Sequence, residues 1–260
     1  MATTTAFAQY RFDHWTADMG LPQNIITTIH QTRDGYLWVA TLDGLARFDG
    51  VRFTVFNKSN SPGINSNRFI ALYEDRDGDL WASTENGGLT RYHDGAFTTY
   101  TTQHGLPHNF IRGITGDESG NLWVLSAEQI MRWDQGRFVP AGLPGLKVDF
   151  QNSDWDNKVF LGADKTNLYR FTQGRLTTWP LPRDLLGRSN NRFAEDSTGA
   201  IWMLTLDGKA ARIKDGKALN VFRMDEAQPD QGAVMRAEMG GADQDRQGNP
   251  WTIRVGKELT

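Results

Sequence analysis

The chain has 260 residues, a formal net charge of −3, 27 glycines and no cysteine. Without cysteine it can form no disulfide bond, no thiolate metal site and no cysteine nucleophile. A charge so close to balance gives no electrostatic reason to expect nucleic acid or an anionic membrane surface as a partner. No apolar run approaches the roughly 20 residues of a transmembrane helix. We therefore expect membrane attachment only through segments outside this sequence.

The N-terminal segment precedes any repeat. Residues 1–9 are predicted to be a disordered N-terminus or a signal-peptide remnant, because Ala6-Phe7-Ala8 has the small-x-small form of a signal-peptidase site. The next residues, Tyr10 to Thr16, alternate apolar and polar side chains and predict a strand. Such a terminal strand can complete the last sheet of a ring of sheets, which removes exposed strand edges.

Four short apolar runs separated by three glycine turns occupy Ile25 to Phe56. The runs read IITTI, YLWVAT, LARF and VRFTVF. The turns fall at Asp34-Gly35, Asp43-Gly44 and Asp49-Gly50. Asp-Gly favours type I′ hairpins, in which both central residues have positive φ. The stretch therefore predicts four antiparallel strands joined by tight turns.

The same pattern recurs along the chain with a period of about 40–45 residues. A marker tryptophan follows the first turn of each copy, at Trp38, Trp81, Trp123, Trp202 and Trp251, with Phe160 in its place in the fourth copy. A second glycine turn keeps the same period, at Gly50, Gly95, Gly136, Gly174 and Gly216. Four strands per repeat at this period are typical of a β-propeller. We predict an all-β fold, with a β-propeller domain over residues 10–260. It has about six blades of four antiparallel strands, five complete and a partial sixth from Asp243, which Tyr10 to Thr16 can close.

The predicted third strand of each copy carries an arginine in register. It reads apolar-x-Arg-aromatic around Arg47, Arg91, Arg132 and Arg170, whereas Arg212 is followed by an isoleucine. A third strand lies far from the propeller axis, which argues against a ring of binding arginines. We expect each arginine to lie over an aromatic ring of the next blade, a contact worth roughly 0.5–2 kcal/mol.

The repeats resemble the two-component regulator propeller repeat of bacterial sensor proteins. The matching segments are GLPQNIITTIHQTRDGYLWVATLDGLARFDGVRFTVF and its copies. Their shared motifs are the xGxLW turn, the G-L-x-R-aromatic strand and the G-L-P-x-N connection. The resemblance covers roughly residues 10–260 and weakens in the last three copies. It implies a periplasmic or other extracytoplasmic propeller, as the N-terminal part of a sensor. It also implies a membrane helix and a histidine kinase or diguanylate cyclase domain in segments not present here.

Motifs for metal binding and catalysis are weak. Asp75 to Asp79 resembles the start of a calcium loop, but its glycine falls one place early and position twelve is Asn86 instead of glutamate. His104 and His108 flank a Gly-Leu-Pro loop and share no helix face, so we do not expect zinc. The sequence has neither a G-x-S-x-G elbow nor a phosphate-binding glycine loop. We predict no metal, no cofactor and no catalytic residue in this segment.

Polar residues recur in the loops that enter the predicted first strands. If the first strand of each blade is innermost, these loops surround one mouth of the central channel. Amide and guanidinium groups there can bind sugar hydroxyls or carboxylates. The alternative is that the asparagines cap turns, above all Asn24 and Asn109. The candidate ligand-binding residues are Gln23, Asn67, Arg68, His108, Arg112, Asn191 and Arg192.

These observations favour a non-catalytic module that senses a ligand or mediates an interaction within a bacterial signalling protein. The expected partner is a small molecule or a glycan. One alternative is a propeller enzyme, a lyase or hydrolase acting at the central channel, since fold does not fix function. Another is a protein-binding scaffold, including a homodimer formed through the propeller.

Overall fold

The computed structural model describes residues 14–126, 129–143, 153–155, 160–186, 192–196, 198–205, 207–223, 242–244 and 250–252, and for the strands at 153–155, 242–244 and 250–252 it describes the backbone alone. Within these residues the fold is all-β, with five four-stranded sheets, or blades, and one strand pair. Blade 1 comprises β1 (Ile26–Gln31), β2 (Leu37–Thr41), β3 (Gly44–Phe48) and β4 (Phe53–Phe56). Blade 2 comprises β5 (Phe69–Glu74), β6 (Leu80–Thr84), β7 (Leu89–His93) and β8 (Ala96–Tyr100). Blade 3 comprises β9 (Ile111–Gly116), β10 (Leu122–Ser126), β11 (Gln129–Asp134) and β12 (Arg137–Pro140).

The later blades follow the same plan. Blade 4 comprises β13 (Ser153–Trp155), β14 (Phe160–Ala163), β15 (Asn167–Thr172) and β16 (Arg175–Pro180). Blade 5 comprises β17 (Arg192–Glu195), β18 (Ile201–Leu204), β19 (Lys209–Lys214) and β20 (Lys217–Arg223). The sixth copy begins with β21 (Ala242–Gln244) and β22 (Pro250–Thr252), which places Trp251 opposite Asp243. The predicted propeller and its repeat plan are confirmed.

Each blade is a simple antiparallel meander, and its first strand is the innermost. In every blade the spatial order of the strands is their order in the chain. The first strands β1, β5, β9, β13 and β17 contact one another in succession. The connections into the first strands therefore lie at the same end of the blades as the turns between second and third strands. The remaining two turns of each blade lie at the opposite end.

The third glycine turn is type I′ in blades 2 to 5 but not in blade 1. In blade 2, Asp94 and Gly95 both have positive φ, at 46° and 83°. Blade 1 has two more residues at this point, and in its Asp49-Gly50 turn only the glycine has positive φ. The Asp49 carboxylate instead accepts the backbone N–H groups of Val51 and Arg52, at 2.9 and 2.8 Å. The prediction of type I′ geometry in the first copy was wrong, because a local carboxylate closes a longer turn.

An aspartate six residues before the marker tryptophan holds the first turn of three blades. The indole Nε1–H of Trp81 donates to Asp75 Oδ2 at 2.7 Å, and the other Oδ atom accepts backbone N–H groups of the same turn. The equivalent indole bonds are 3.0 Å from Trp123 to Asp117 and 3.1 Å from Trp202 to Asp196. Thr32 takes the place of the aspartate in blade 1. Of the three aspartates, only Asp75 stands out in the sequence, as the start of a calcium-like pattern.

Aromatic rings pack in the interfaces between adjacent blades, here called seams. The marker tryptophan of one blade contacts the aromatic residue that follows the arginine in the next blade. The ring centroids are 4.9 Å apart for Trp38 and Tyr92, 5.3 Å for Trp81 and Trp133, and 5.3 Å for Trp123 and Phe171. Such pairs add about 0.5–1.5 kcal/mol to the gain from burial alone. The repeated tryptophan and the repeated third-strand aromatic are thus two halves of one contact.

Strand register corrects one marker in blade 4. Trp38, Trp81, Trp123 and Trp202 each pair with the arginine of the third strand. In blade 4 the residue opposite Arg170 is Leu161, and Phe160 pairs with Phe171 one step further on. Leu161, not Phe160, therefore occupies the tryptophan position. Blade 4 has no aromatic ring there.

The third-strand arginines that pair with the marker position of each blade, here called the register arginines, have a structural role. The aromatic contacts of Arg47 and Arg91 lie within their own blade. The Arg47 guanidinium lies 4.5 Å from the Tyr36 ring centroid, and Arg91 lies 5.5 Å from that of Trp81. The contact with the next blade is polar instead, since Arg47 donates to the Tyr92 hydroxyl at 3.2 Å. The expected stacking on the next blade was wrong for Arg47 and Arg91, because a ring of the same blade lies under each guanidinium, Tyr36 for Arg47 and Trp81 for Arg91.

The segment before blade 1 partly covers the face of this blade that points away from blade 2. The Trp15 ring lies 5.3 Å from Phe48, edge to face, and packs with the cluster around Val39 and Ala46. Phe48 follows the register arginine of blade 1, so Trp15 contacts it as a marker tryptophan contacts that aromatic elsewhere. Residues 10–13 lie outside the described chain. Closure of the ring by Tyr10 to Thr16 therefore stays a prediction, as do the domain bounds 1–9 and 10–260.

The pKa of Asp164, in the turn between β14 and β15, predicts a contribution to stability that is lost in acid. Burial acts to raise the pKa of this carboxyl, but hydrogen bonds from Tyr169 and from the N–H groups of Thr166 and Asn167 lower it from 3.8 to about 2. A lowered folded-state pKa stabilises the fold above about pH 4, and this contribution is lost as the pH falls through about 2. We expect Asp164→Asn to lower the urea midpoint at pH 7 and to flatten its fall between about pH 4 and 2.

The control for this prediction is Asp94→Asn, since Asp94 is a turn residue whose side chain is 92% exposed. Urea unfolding followed by circular dichroism at pH 7, 5, 4 and 3 measures both variants. Curves for Asp164→Asn that run parallel to the wild type over the acid range would contradict the assignment.

Candidate functional site

The mouth is the end of the blades formed by the loops that enter β1, β5, β9 and β17 and by the turns between second and third strands. The antiparallel order of each blade places all these segments at one end. The candidates Gln23, Asn67, Arg68, His108 and Arg192 lie in these loops or at the first residue of the strand that follows. Arg112 lies on the innermost strand β9 itself, and Asn191 lies outside the described residues.

Three asparagine side chains of the mouth loops accept hydrogen bonds from the backbone. The Oδ1 atoms of Asn24, Asn67 and Asn109 accept the N–H groups of Ala17, Lys58 and Thr102, at 2.7, 2.9 and 2.9 Å. Asn67 also donates from Nδ2 to Asp43 in the neighbouring blade, at 3.2 Å. The capping interpretation holds for Asn24 and Asn109 and extends to Asn67, one of the predicted ligand-binding residues. Aligning Gly63 to Asn67 with the two Gly-Leu-Pro-x-Asn segments reveals the equivalence.

Arg68 is held by an acidic partner at the mouth. Its guanidinium forms an ion pair with Glu85, which lies in the turn between β6 and β7, and the two backbones are joined by a 3.0 Å bond from Glu85 N to Arg68 O. The Arg68 side chain is 52% exposed, and that of Glu85 is 39% exposed. The pair presents a positioned cation at the mouth, beside a carboxylate that can accept from a ligand hydroxyl.

A second group forms around β9. His108 is exposed, and its Nδ1 accepts the Phe110 N–H at 2.9 Å. The Ser126 hydroxyl fixes the backbone of His108, with 2.7 Å from Oγ to the carbonyl oxygen. The Arg112 guanidinium lies 5.5 Å from the Phe110 ring centroid, within cation–π distance. Sequence reasoning missed Phe110, although the residue after the connecting asparagine varies visibly, as Ile25, Arg68 and Phe110.

The remaining candidates are placed separately. Arg192 is exposed and begins β17 opposite Leu204. Gln23 is half-buried, and its Oε1 atom is enclosed without a hydrogen-bond donor in the described part of the structure. The mouth thus combines one Arg–Glu pair, one Arg–aromatic pair and an exposed histidine. This chemistry suits hydrogen bonding to sugar hydroxyls or pairing with a carboxylate.

The residues of the calcium-like and zinc-like patterns have structural partners. Both carboxylate oxygens of Asp75 are occupied by its own turn and by Trp81. His104 Nδ1 accepts the Thr101 N–H at 3.0 Å, and the His104 ring packs edge-on to Tyr100. Among the described residues no group of three His, Asp or Glu is placed to hold a metal ion. No helix in that part of the chain is long and apolar enough to span a membrane.

Three successive repeats of this propeller match a known family of repeats. The model of the two component regulator propeller family matches residues 20–43, 63–86 and 105–128, which run from a mouth loop to the second strand in blades 1 to 3. The chain carries two component regulator propeller repeats, and the resemblance seen in the sequence is confirmed. No curated protein is significantly similar to the chain.

Solved structures with the same fold include sensor domains and a lyase. An extracellular domain of a putative hybrid two component system from B. thetaiotaomicron has a TM-score of 0.63 at 19% identity, over 95% of this chain and 34% of that chain. Another such domain from the same organism gives 0.55 at 20% identity, over 77% and 30%. A virginiamycin B lyase from Staphylococcus aureus gives 0.57 at 18% identity, over 90% and 78%. The chain thus spans about a third of the length of the two-component domains that it matches.

Proposed function

We propose that this chain is a ligand-sensing input module of a bacterial two-component-type signalling protein, without catalytic activity of its own. The observation that carries the proposal is the match of three successive repeats to the regulator propeller family. The likeness to extracellular domains of hybrid two component systems supports the same interpretation. It also favours an extracytoplasmic, periplasmic location, with a membrane helix and a kinase or cyclase domain in segments beyond this chain.

The ligand is proposed to bind at the mouth. Arg68 offers a guanidinium held by Glu85, and Arg112 offers a second one over the Phe110 ring. Arg192 is exposed at the start of β17, on the same end of the fold. Arginines that are held in place lose little freedom when they bind, and they recognise carboxylates through paired hydrogen bonds. The favoured ligand is a small molecule or glycan with carboxylate or hydroxyl groups.

Replacing Arg68 and Arg192 by alanine is expected to abolish the ligand response. Thermal unfolding is measured with a panel of monosaccharides, oligosaccharides and small carboxylic acids, because a ligand at a hundred times its Kd stabilises the fold by about 2.7 kcal/mol. A compound that raises the Tm of the wild type should not raise that of the double variant. The control is Arg52→Ala, at the opposite end of blade 1 and 83% exposed. An unchanged response in the double variant would exclude the mouth as the site.

The gene on both sides of this sequence tests the signalling role. An upstream signal peptide, with further blades, a membrane helix and a kinase or cyclase domain downstream, is the expected arrangement. A stop codon directly after Thr260, with no signalling domain, would contradict the role as an input module.

An enzyme is the second candidate. The fold is shared with a virginiamycin B lyase over most of both chains. A lyase would need histidine or carboxylate side chains gathered at the channel, and His108 is the exposed histidine at the described mouth. Loss of a streptogramin B antibiotic on incubation with the chain, abolished by His108→Ala, would establish the activity. A scaffold role predicts a dimer, which light scattering after size exclusion would detect.

A further inference from the structure

A groove of about 370 Å³ lies between blades 4 and 5, away from the mouth. On the blade 4 side Arg175 and Trp179 of β16 line it, and on the blade 5 side Lys214 and the Asp215-Gly216 turn do. Thr198 and Ile213 of blade 5 also line it. Its volume lies within the range of small-molecule sites.

The seam that holds the groove differs in composition from the earlier seams, because aliphatic residues here replace their aromatic rings. Between blades 1 and 2 the seam holds Trp38, Phe56, Tyr92 and Phe97, and between blades 2 and 3 it holds Trp81, Tyr100, Trp133 and Phe138. Strand register places Trp179 at the position of Phe56 and Tyr100. It places Leu161, Ile213 and Ala218 at the other three positions. Three smaller side chains leave space beside Trp179.

Trp179 is consequently left without an aromatic partner among the described residues. Its side chain is half-buried and packs against the aliphatic cluster of Leu161, Leu168 and Ile213. Gly216, with φ of 74°, lies so close that a Cβ there would stand 2.6 Å from Trp179 Cδ1. The turn of blade 5 therefore braces the indole from one side, and the rest of the ring lines the groove. An indole wall is a typical surface for the apolar face of a ring-shaped ligand.

Three cationic side chains line the groove together with the Trp179 indole. Arg175, Thr177 and Trp179 alternate along β16 and so share one face of the strand. Arg175 and Lys214 are exposed, and Lys214 Nζ donates to the Thr198 carbonyl at 3.1 Å, which fixes its position. The third cation, Arg170, is already neutralised by Glu195 through bonds of 2.8 and 2.6 Å. Asp215 offsets one of the two remaining charges, so the groove is left with an excess of positive charge.

We propose that this groove binds an anionic ligand that carries a six-membered ring, with the ring against Trp179 and the carboxylate paired with Arg175 and Lys214. The Cα atoms of Arg175 and Trp179 are about 13 Å apart along the strand, from the rise of a β-strand. This length fits two linked rings or one ring with an extended acid. An acidic disaccharide and an aromatic acid share this chemistry.

The test uses calorimetric titration of the 260-residue chain with four probes. Digalacturonic acid and 4-hydroxyphenylacetate carry the carboxylate, and galactobiose and 4-hydroxyphenylacetamide are their neutral counterparts. At least one acid should bind at least tenfold more tightly than its neutral counterpart, and its affinity should fall as salt is added. Binding of the sugar acid alone identifies an acidic glycan, and binding of the aromatic acid alone identifies an aromatic ligand.

Variants locate the binding. Arg175→Ala should weaken it about tenfold, the loss of one charge-assisted pair. The matched control is Arg137→Ala, because Arg137 is exposed and holds the same register position in blade 3. Arg68→Ala at the mouth should leave the affinity unchanged, which separates this site from the proposed sensing site. Absence of binding by both acids at millimolar concentration, equal binding of the neutral probes, or no effect of Arg175→Ala would each overturn the proposal.

Discussion

Replacement of Trp81 by alanine is expected to lower the free energy of unfolding by about 3–5 kcal/mol, the usual cost of deleting a buried tryptophan. Trp81 is 1% exposed and fills the seam between blades 2 and 3, with ring centroids 5.6 Å from Tyr100 and 5.3 Å from Trp133. Neither neighbour can move into the space, since both are held in their own strands. Urea unfolding followed by far-ultraviolet circular dichroism measures the change.

Two control variants accompany this test, one for the hydrogen bond of the indole and one for an exposed surface position. Trp81→Phe keeps most of the ring but loses the indole donor to Asp75, and should cost only about 1–3 kcal/mol. Val51→Ala, at a turn residue that is 87% exposed, should change stability by no more than about 0.5 kcal/mol. A loss for Trp81→Ala no larger than that for Val51→Ala would show that the seam does not hold the blades together.

Removal of Arg91 is expected to destabilise the fold by about 3 kcal/mol, because a buried carboxylate then loses its arginine partner. The Asp79 side chain is 4% exposed and is paired with Arg91, whose Nε lies 2.8 Å from Oδ2, and with His93 through Oδ1. Arg91→Met keeps the aliphatic stem and removes the charge. The double variant Asp79→Asn, Arg91→Met removes both charges and should recover part of the loss.

Blade 1 provides the matched control for Arg91. Arg47 occupies the same register position, but Tyr36 stands where blade 2 has Asp79. Arg47→Met therefore breaks a cation–π contact and a bond to a hydroxyl, and it should cost no more than about 2 kcal/mol. Urea unfolding of the wild type and the three variants at pH 7 gives the comparison. Equal losses for Arg47→Met and Arg91→Met would show that the buried carboxylate is not what makes Arg91 important.

The seams between blades link the fold to the two proposed sites. Each seam uses the same strand positions, so a substitution in one repeat changes the surface at one place only. Aromatic residues at those positions pack across the seams beside blade 2, and Leu161 and Ile213 take their places between blades 4 and 5. At the mouth, the position after each connecting asparagine varies in the same way. A repeated scaffold can thus carry sites that occur once.

The sequence by itself determined the fold class, the meander of four strands and the end of the blades at which the mouth lies. It could do so because hydrophobic alternation, glycine turns and a regular period are local features that repetition reinforces. The resemblance to the regulator propeller repeat also followed from local words in the sequence.

Only the tertiary structure decided which side chains meet. It showed that Leu161 and not Phe160 takes the tryptophan position, and that Arg47 lies over a ring of its own blade. It also revealed the Arg68–Glu85 pair and the groove beside Trp179. Such contacts depend on strand register and on packing between repeats far apart in the chain, and a shift of one residue turns a side chain to the other face. Spacing along the sequence carries no measure of that packing.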